Sequence, residues 1–253
     1  MKPGKKEKLK QKKVLFKAKH GYYRVGHRRA PKRHYYSSWN VGRDIRHYSK
    51  SHNIRILKDE DALFDIAKNA EHPINRVDAI QNHHLKDESK LLELINGNYG
   101  YDVRIAAVRR IRSDETLIDL LKNHNDWHVR YATLDSIKKI DETILNDVAL
   151  NDEDYVVRRK AAEHVKNQDV LVYISRNDED ALVRANALEK IRNMDIIVFQ
   201  ANNDPNWRVR KAAIELIDDI DVLEQLLENE KDMFIQEFIE ERIEKFKSGM
   251  KIR

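Results

Sequence analysis

Cysteine is absent from the chain. That excludes disulfides, thiolate nucleophiles, Fe–S clusters and every thiolate zinc site. Glycine and proline number only 7 and 4 in 253 residues, where an average chain of this length carries about 30 between them. Sandwiches, barrels and doubly wound sheets need many turns, and turns draw on both residues. No apolar run approaches the roughly 18 residues of a membrane span. Near the start the only apolar patch is Val14-Leu15-Phe16, too short for a secretory leader. The expectation is a reducing compartment, the cytoplasm, with no membrane role.

Catalytic templates are missing as well. Gly21 to Gly26 has the outline GxxxxG, but His27 and Arg28 follow where a phosphate loop needs Lys and Ser/Thr. Neither GxSxG nor HExxH occurs. His83 and His84 are adjacent, so on a helix they diverge by about 100°. His124 and His128 are separated by Asp126, where a helix is expected to begin. No metal, cofactor or catalytic residue is assigned.

What is present is charge, 36% of the residues, divided unevenly. Residues 1–50 hold 17 Lys and Arg against only Glu7 and Asp44, a balance of +15. The other 203 residues hold 31 against 41, a balance of −10. The basic segment has few aliphatic residues and four of the seven glycines. It buries too little apolar surface to offset its ordering entropy, so residues 1–50 are expected to form an arm that is disordered when free. Opposite charge also allows arm and body to attract each other, an attraction that salt would screen.

Residues 51–253 read as a repeat. Arg76, Arg104, Arg130, Arg158, Arg184 and Arg210 stand 28, 26, 28, 26 and 26 residues apart, and a further 26 reaches Gln236. Valine precedes five of these arginines (Val103, Val129, Val157, Val183, Val209). Three residues after them come Ala79, Ala107, Thr133, Ala161, Ala187 and Ala213, and seven after them Ile111, Ile137, Val165, Ile191 and Ile217. Offsets of −1, +3, +4 and +7 share one face of an α-helix. Asp126, Asp154, Asp180, Asn206 and Asp232, four residues before the Arg column, are N-cap types. A second acid column (Asp87, Asp114, Asp141, Asp169, Asp195, Asp221) predicts the cap of a second, shorter helix. That helix is expected to close at Asn69, Asn96, Asn123, Asn151, Asn177, Asn203 and Asn229 through the left-handed conformation that Asn tolerates. Two short helices cannot bury their apolar faces alone, and stacked neighbours can. The segment from Phe234 to Phe246 reads as a terminal capping helix.

The run DxxVRxxAxxxI…D…LxN, over about residues 59–246, resembles the HEAT/armadillo-type α-solenoids in their short HEAT-like forms, and is similar to leucine-rich-repeat-variant proteins in period and in its Val-Arg step. The resemblance implies an all-α fold, a right-handed α-α superhelix. HEAT-like hydroxylases carry His-Glu iron ligands; here the order is reversed, as Glu71-His72 and Glu163-His164. The Fe–S association of some leucine-rich-repeat variants requires cysteines that this chain lacks.

Two columns of the repeat carry a choice of roles. The Arg ladder either presents a row of anion ligands or pairs with acids and carbonyls of its own and the adjacent turn; a planar guanidinium suits the second, structural role. The aromatic column one residue after the N-cap (Tyr101, Trp127, Tyr155, Trp207) either forms a protein-docking strip or staples neighbouring helix ends. The functional weight falls on the arm. There Lys10, Lys12, Lys13, Arg24, Arg28, Arg29, Lys32 and Arg33 would bind phosphates by releasing counterions. Interleaved Tyr22, Tyr23, Tyr35, Tyr36 and Trp39 would stack on unpaired bases. The expected function is a non-enzymatic scaffold: RNA or a ribonucleoprotein on the arm, a protein partner on the solenoid. The rival readings are a protein-only adaptor and a HEAT-like metal enzyme.

Overall fold

The computed structural model describes residues 53–248. The described residues contain no strand. They divide into two compact units between Ser136 and Ile137. The first comprises α1 (Glu60–Asn69), α2 (Pro73–Gln81), α3 (Glu88–Asn96), α4 (Tyr101–Val108), α5 (Asp114–Asn123) and α6 (Trp127–Ser136). The second comprises α7 (Glu142–Asn151), α8 (Tyr155–Ala162), α9 (Gln168–Asn177), α10 (Ala181–Leu188), α11 (Met194–Asn203), α12 (Trp207–Glu215), α13 (Ile220–Asn229) and α14 (Met233–Lys247). Each unit is a stack of helix pairs, the architecture of a helical solenoid.

The Arg columns lie on the even-numbered helices. Each even helix packs most extensively on the odd helix before it, so the structural repeat begins half a period earlier than the Arg-anchored frame suggests. Within a unit the even helices also pack on one another more closely than the odd ones do. The column at Arg+3 explains this: Ala79, Ala107, Ala161, Ala187 and Ala213 are fully buried, and a methyl side chain lets two helices approach. Thr133 takes the same place and is equally buried; its Oγ1 satisfies itself by donating to the Val129 carbonyl at 2.7 Å. The Val column at Arg−1 is buried throughout, as are Ile111, Val165, Ile191 and Ile217 at Arg+7. Ile137, where the units meet in sequence, is only half-buried.

The caps of the even helices match expectation: Asp154, Asp180, Asn206 and Asp232 each accept a first-turn amide. Those of the odd helices need correcting. Asp87 and Asp141 do cap α3 and α7. At α5, α9, α11 and α13 the cap is Ser113, Asn167, Asn193 and Asp219, one or two residues before the predicted acid. Asp114, Asp169, Asp195 and Asp221 sit instead in the first turn, where they face the positive end of the helix dipole. The odd helices are also not the shorter ones: α5, α7, α9, α11 and α13 have 10 residues each, against 8 in α4, α8 and α10.

All seven predicted Asn residues end an odd helix, but by another mechanism. The residue after them is extended rather than left-handed, for example φ −62°, ψ 136° at Asp178. The Asn amide turns back one turn instead: Asn69, Asn123 and Asn151 donate to Asp65, Asp119 and Asp147, and Asn177, Asn203 and Asn229 to the carbonyls of Tyr173, Phe199 and Gln225.

Candidate functional site

The loop that joins each odd helix to the next even helix gathers the Arg ladder, an acid and the aromatic column. In the second unit the arrangement repeats three times. Arg158 Nε and Nη2 donate to both oxygens of Asp178, at 2.8 and 3.0 Å. Arg184 grips Asp204 at 2.8 and 2.8 Å, and Arg210 grips Glu230 at 2.8 and 3.1 Å. The third nitrogen, Nη1, donates to the carbonyl six residues back: Asp152, Asp178 and Asp204 respectively, at 2.9, 2.9 and 3.0 Å. The same acids accept the amide two residues on (Asp180 N to Asp178, Asn206 N to Asp204, Asp232 N to Glu230) and so shape the loop before the next helix. Each arginine thus ties its own loop to the loop of the following repeat. Donating to the carboxylates of Asp178 and Asp204 raises the pKa of Arg158 and Arg184. Gln236, where the Arg column lapses, keeps only the carbonyl bond, to Glu230 at 2.7 Å.

The first unit departs from this at Arg76 and Arg104, which meet no acid of the ladder column. Arg76 Nε donates to the Ala70 carbonyl, and Arg130 Nη1 to that of His124 at 2.8 Å. The position that would pair with Arg104 holds His124, not an acid. His124 Nδ1 accepts from Asp126 N at 3.0 Å, replacing the acid in the loop but not on the guanidinium. Arg104 Nη2 lies 2.9 Å from Asp126 Oδ2, and its buried Nε makes no hydrogen bond. Burial would raise the pKa of Asp126; bonds from His128 and the Arg104 charge outweigh it and lower it. A cleft of about 720 Å³ opens here, lined by Arg104, Glu115, Asp119, His124 and Asp126. The equivalent clefts over Arg158 and Arg210, lined by their acids Asp178 and Glu230, are about 430 and 340 Å³.

A second set of cations was not anticipated. Arg110, Lys190 and Arg242, each six residues past the Arg column, reach back to the carbonyls that end the preceding even helix. Lys190 Nζ donates to Glu163 and Val165 at 2.7 and 2.6 Å, Arg110 to Leu85 at 2.9 Å, and Arg242 to Glu215 and Ile217 at 2.8 and 3.0 Å. Cations suit helix C-termini, where carbonyls lack partners. Burial lowers the pKa of Lys190 and Arg110. Only three of the seven repeats carry the cation; Asn82, Ser136, His164 and Leu216 take its place in the others, which hid the pattern.

The aromatic column forms the outer rim of these loops. Tyr101, Trp127, Tyr155 and Trp207 are each the first residue of an even helix. Ring contacts join some neighbours: Tyr101 stacks on His128 at 5.5 Å, Trp127 on His128 at 3.6 Å, and Trp207 meets Phe234 edge-on at 5.4 Å. Yet Tyr101 stays 61% exposed and Tyr155 42%.

The geometry has a counterpart among solved structures. The chain is similar in fold to a leucine-rich repeat variant. That protein, described as a leucine-rich repeat variant with a novel repetitive protein structural motif, superposes with a TM-score of 0.55 at 20% identity, over 81% of this chain and 78% of its own. At this identity the likeness carries fold alone. No family model matches the chain, and no curated protein matches it.

Of the Arg ladder, Arg158, Arg184 and Arg210 each bond both an acid of the following repeat and a carbonyl of their own loop. Among the described residues no three His, Asp or Glu side chains gather as metal ligands, and no helix is long and apolar enough to cross a membrane. Lys10, Lys12, Lys13, Tyr22, Tyr23, Arg24, Arg28, Arg29, Lys32, Arg33, Tyr35, Tyr36 and Trp39 lie outside the described residues.

Proposed function

We propose that the chain is a non-enzymatic, cytoplasmic scaffold that grips RNA or a ribonucleoprotein through residues 1–50 and presents its helical repeats to a protein partner. The observation that carries this reading is the composition of the arm: a charge of +15 in 50 residues with Tyr and Trp set among the bases. Counterion release and base stacking call for that combination. The repeats support it from the other side. Residues 51–253 carry −10, a net charge that disfavours phosphate, and the cations Arg158, Arg184, Arg210, Lys190 and Arg242 are engaged with carboxylates and carbonyls of the repeats.

The test is RNA titration of the full chain across salt. Fluorescence anisotropy with a single-stranded 20-mer should give an affinity that falls steeply from 50 to 300 mM KCl. Replacing Arg28, Arg29, Lys32 and Arg33 by Gln should weaken binding and flatten the salt slope by about 0.7 per lost phosphate contact. Tyr22→Ala with Tyr35→Ala should weaken binding without flattening it. Wild-type affinity in both variants would refute the arm as the RNA site.

A further inference from the structure

The acidity of the repeats is concentrated in one unit. Residues 51–136 hold 12 Lys and Arg against 15 Asp and Glu, and residues 137–248 hold 17 against 26, balances of −3 and −9. Exposed apolar side chains collect in the same place: of the eleven large ones exposed among the described residues, eight belong to the second unit. Tyr155, Leu182, Trp207 and Phe234 stand in the first turns of α8, α10, α12 and α14, along the loop rim. Tyr173, 60% exposed on the last turn of α9, lines the cleft of about 430 Å³ over Arg158. Glu153 and Glu179 line it as well, and the Glu179 side chain is 83% exposed. The guanidinium at the floor donates to Asp178 and, at 3.1 Å, to Glu179, so with Glu153 the cleft gathers three carboxylates around one ladder cation, beside an aromatic face.

We infer that this rim docks an extended, arginine- and lysine-bearing segment of a partner protein, with one of its cations seated beside Tyr173 between Glu153 and Glu179. Three arguments select this occupant. Stacking platforms for single-stranded nucleic acid line basic grooves, and a unit of net charge −9 repels phosphate. A cation over an exposed tyrosine, with carboxylates beside it, gains from the ring quadrupole and from the ion pairs together. Apolar positions that recur once per helix pair suit an extended chain: packed helices stand about 8–10 Å apart, the span of about three extended residues. The inference specifies the partner in the scaffold half of the proposed function and is independent of its RNA half.

The probe is a fluorescein-labelled 18-residue peptide, three blocks of Arg-Ser-Lys-Leu-Ser-Lys, titrated into the full chain; the control replaces each base by Glu. Saturable binding is expected for the basic peptide alone. It should weaken at least tenfold in Glu153→Lys with Glu179→Lys and severalfold in Tyr173→Ala. Because Glu179 touches Arg158, Tyr173→Ala with Leu182→Ser serves as a variant that leaves the ladder alone, and thermal melting confirms that each variant folds. A photo-crosslinking version of the peptide should attach within residues 150–210. No binding to wild type, undiminished binding to the folded variants, or attachment confined to residues 53–136 would overturn the inference. So would binding that appears only after the bases of residues 5–33 are changed to Gln, since the chain's own arm would then be the occupant. RNA affinity of the rim variants should equal wild type; its loss would indict the proposed function instead.

Discussion

Arg184 and Asp204 form a closed two-bond pair between adjacent repeats. Both bonds are 2.8 Å, and the side chains are 10% and 3% exposed. Removing one partner strands a charge in the interior, which costs about 3–5 kcal/mol. Asp204→Ala and Arg184→Ala should therefore each lower the thermal midpoint by many degrees. Replacing both with Leu and Met should restore much of that stability, because a buried pair gains little over apolar contact. Arg158→Ala should behave as Arg184→Ala does while leaving RNA affinity intact. Calorimetry of the singles and the double decides the matter.

The rung at Arg104 makes the opposite prediction. His124→Asp would put a carboxylate where Asp178 and Asp204 stand in the second unit and give the buried Nε of Arg104 an acceptor. Its oxygen would also take over the bond from Asp126 N. The variant should be more stable than wild type by about 1 kcal/mol, read as a raised denaturation midpoint at an unchanged slope.

Acid should weaken the clasp between α12 and the loop before α14. Burial alone would raise the Glu230 pKa, but the Arg210 fork and the amides of Asp232 and Lys231 hold it below its ordinary 4.5. A lowered folded pKa means the stabilisation is complete above about 4.5 and is lost as pH falls through the lowered value. Glu230→Gln should therefore cost stability at pH 7 and narrow its deficit against wild type toward pH 3. A deficit that is constant with pH would exclude Glu230 as the titrating group.

A helix cap offers a smaller effect. Asp180 accepts from Leu182 N at 2.8 Å and from Val183 N at 3.2 Å. Asp180→Ala should cost about 1 kcal/mol and Asp180→Asn much less, measurable by urea denaturation.

Sequence patterns made some of these residues legible and hid others. The Val, Ala and Arg columns could be read because they recur on one helix face and every repeat needs them. The Asn column gave each odd helix its end, although the bond is made by the side-chain amide and not by a left-handed backbone. The acid that grips the arginine escaped notice because its column runs Ala70, Asn98, His124, Asp152, Asp178, Asp204, Glu230: it is acidic only from Asp152 onward, and its partner lies 20 residues before it, on another repeat. Odd-helix caps were misplaced by one or two residues because Ser113-Asp114 or Asn193-Met-Asp195 supplies two capping types side by side.

Since Arg158, Arg184 and Arg210 each borrow their counter-charge from the repeat that follows, the ladder of the second unit does not depend on how many repeats it has. Excising residues 178–203 would bring Asp204 to the place of Asp178, opposite Arg158, and leave Arg210 facing Glu230 as before. Each remaining ladder arginine would keep a two-bond acid partner, although Arg158 would lose its further contact with Glu179. Duplication is equally harmless by the same logic, so the length of such an array is free to drift by whole modules while any smaller insertion breaks a bond.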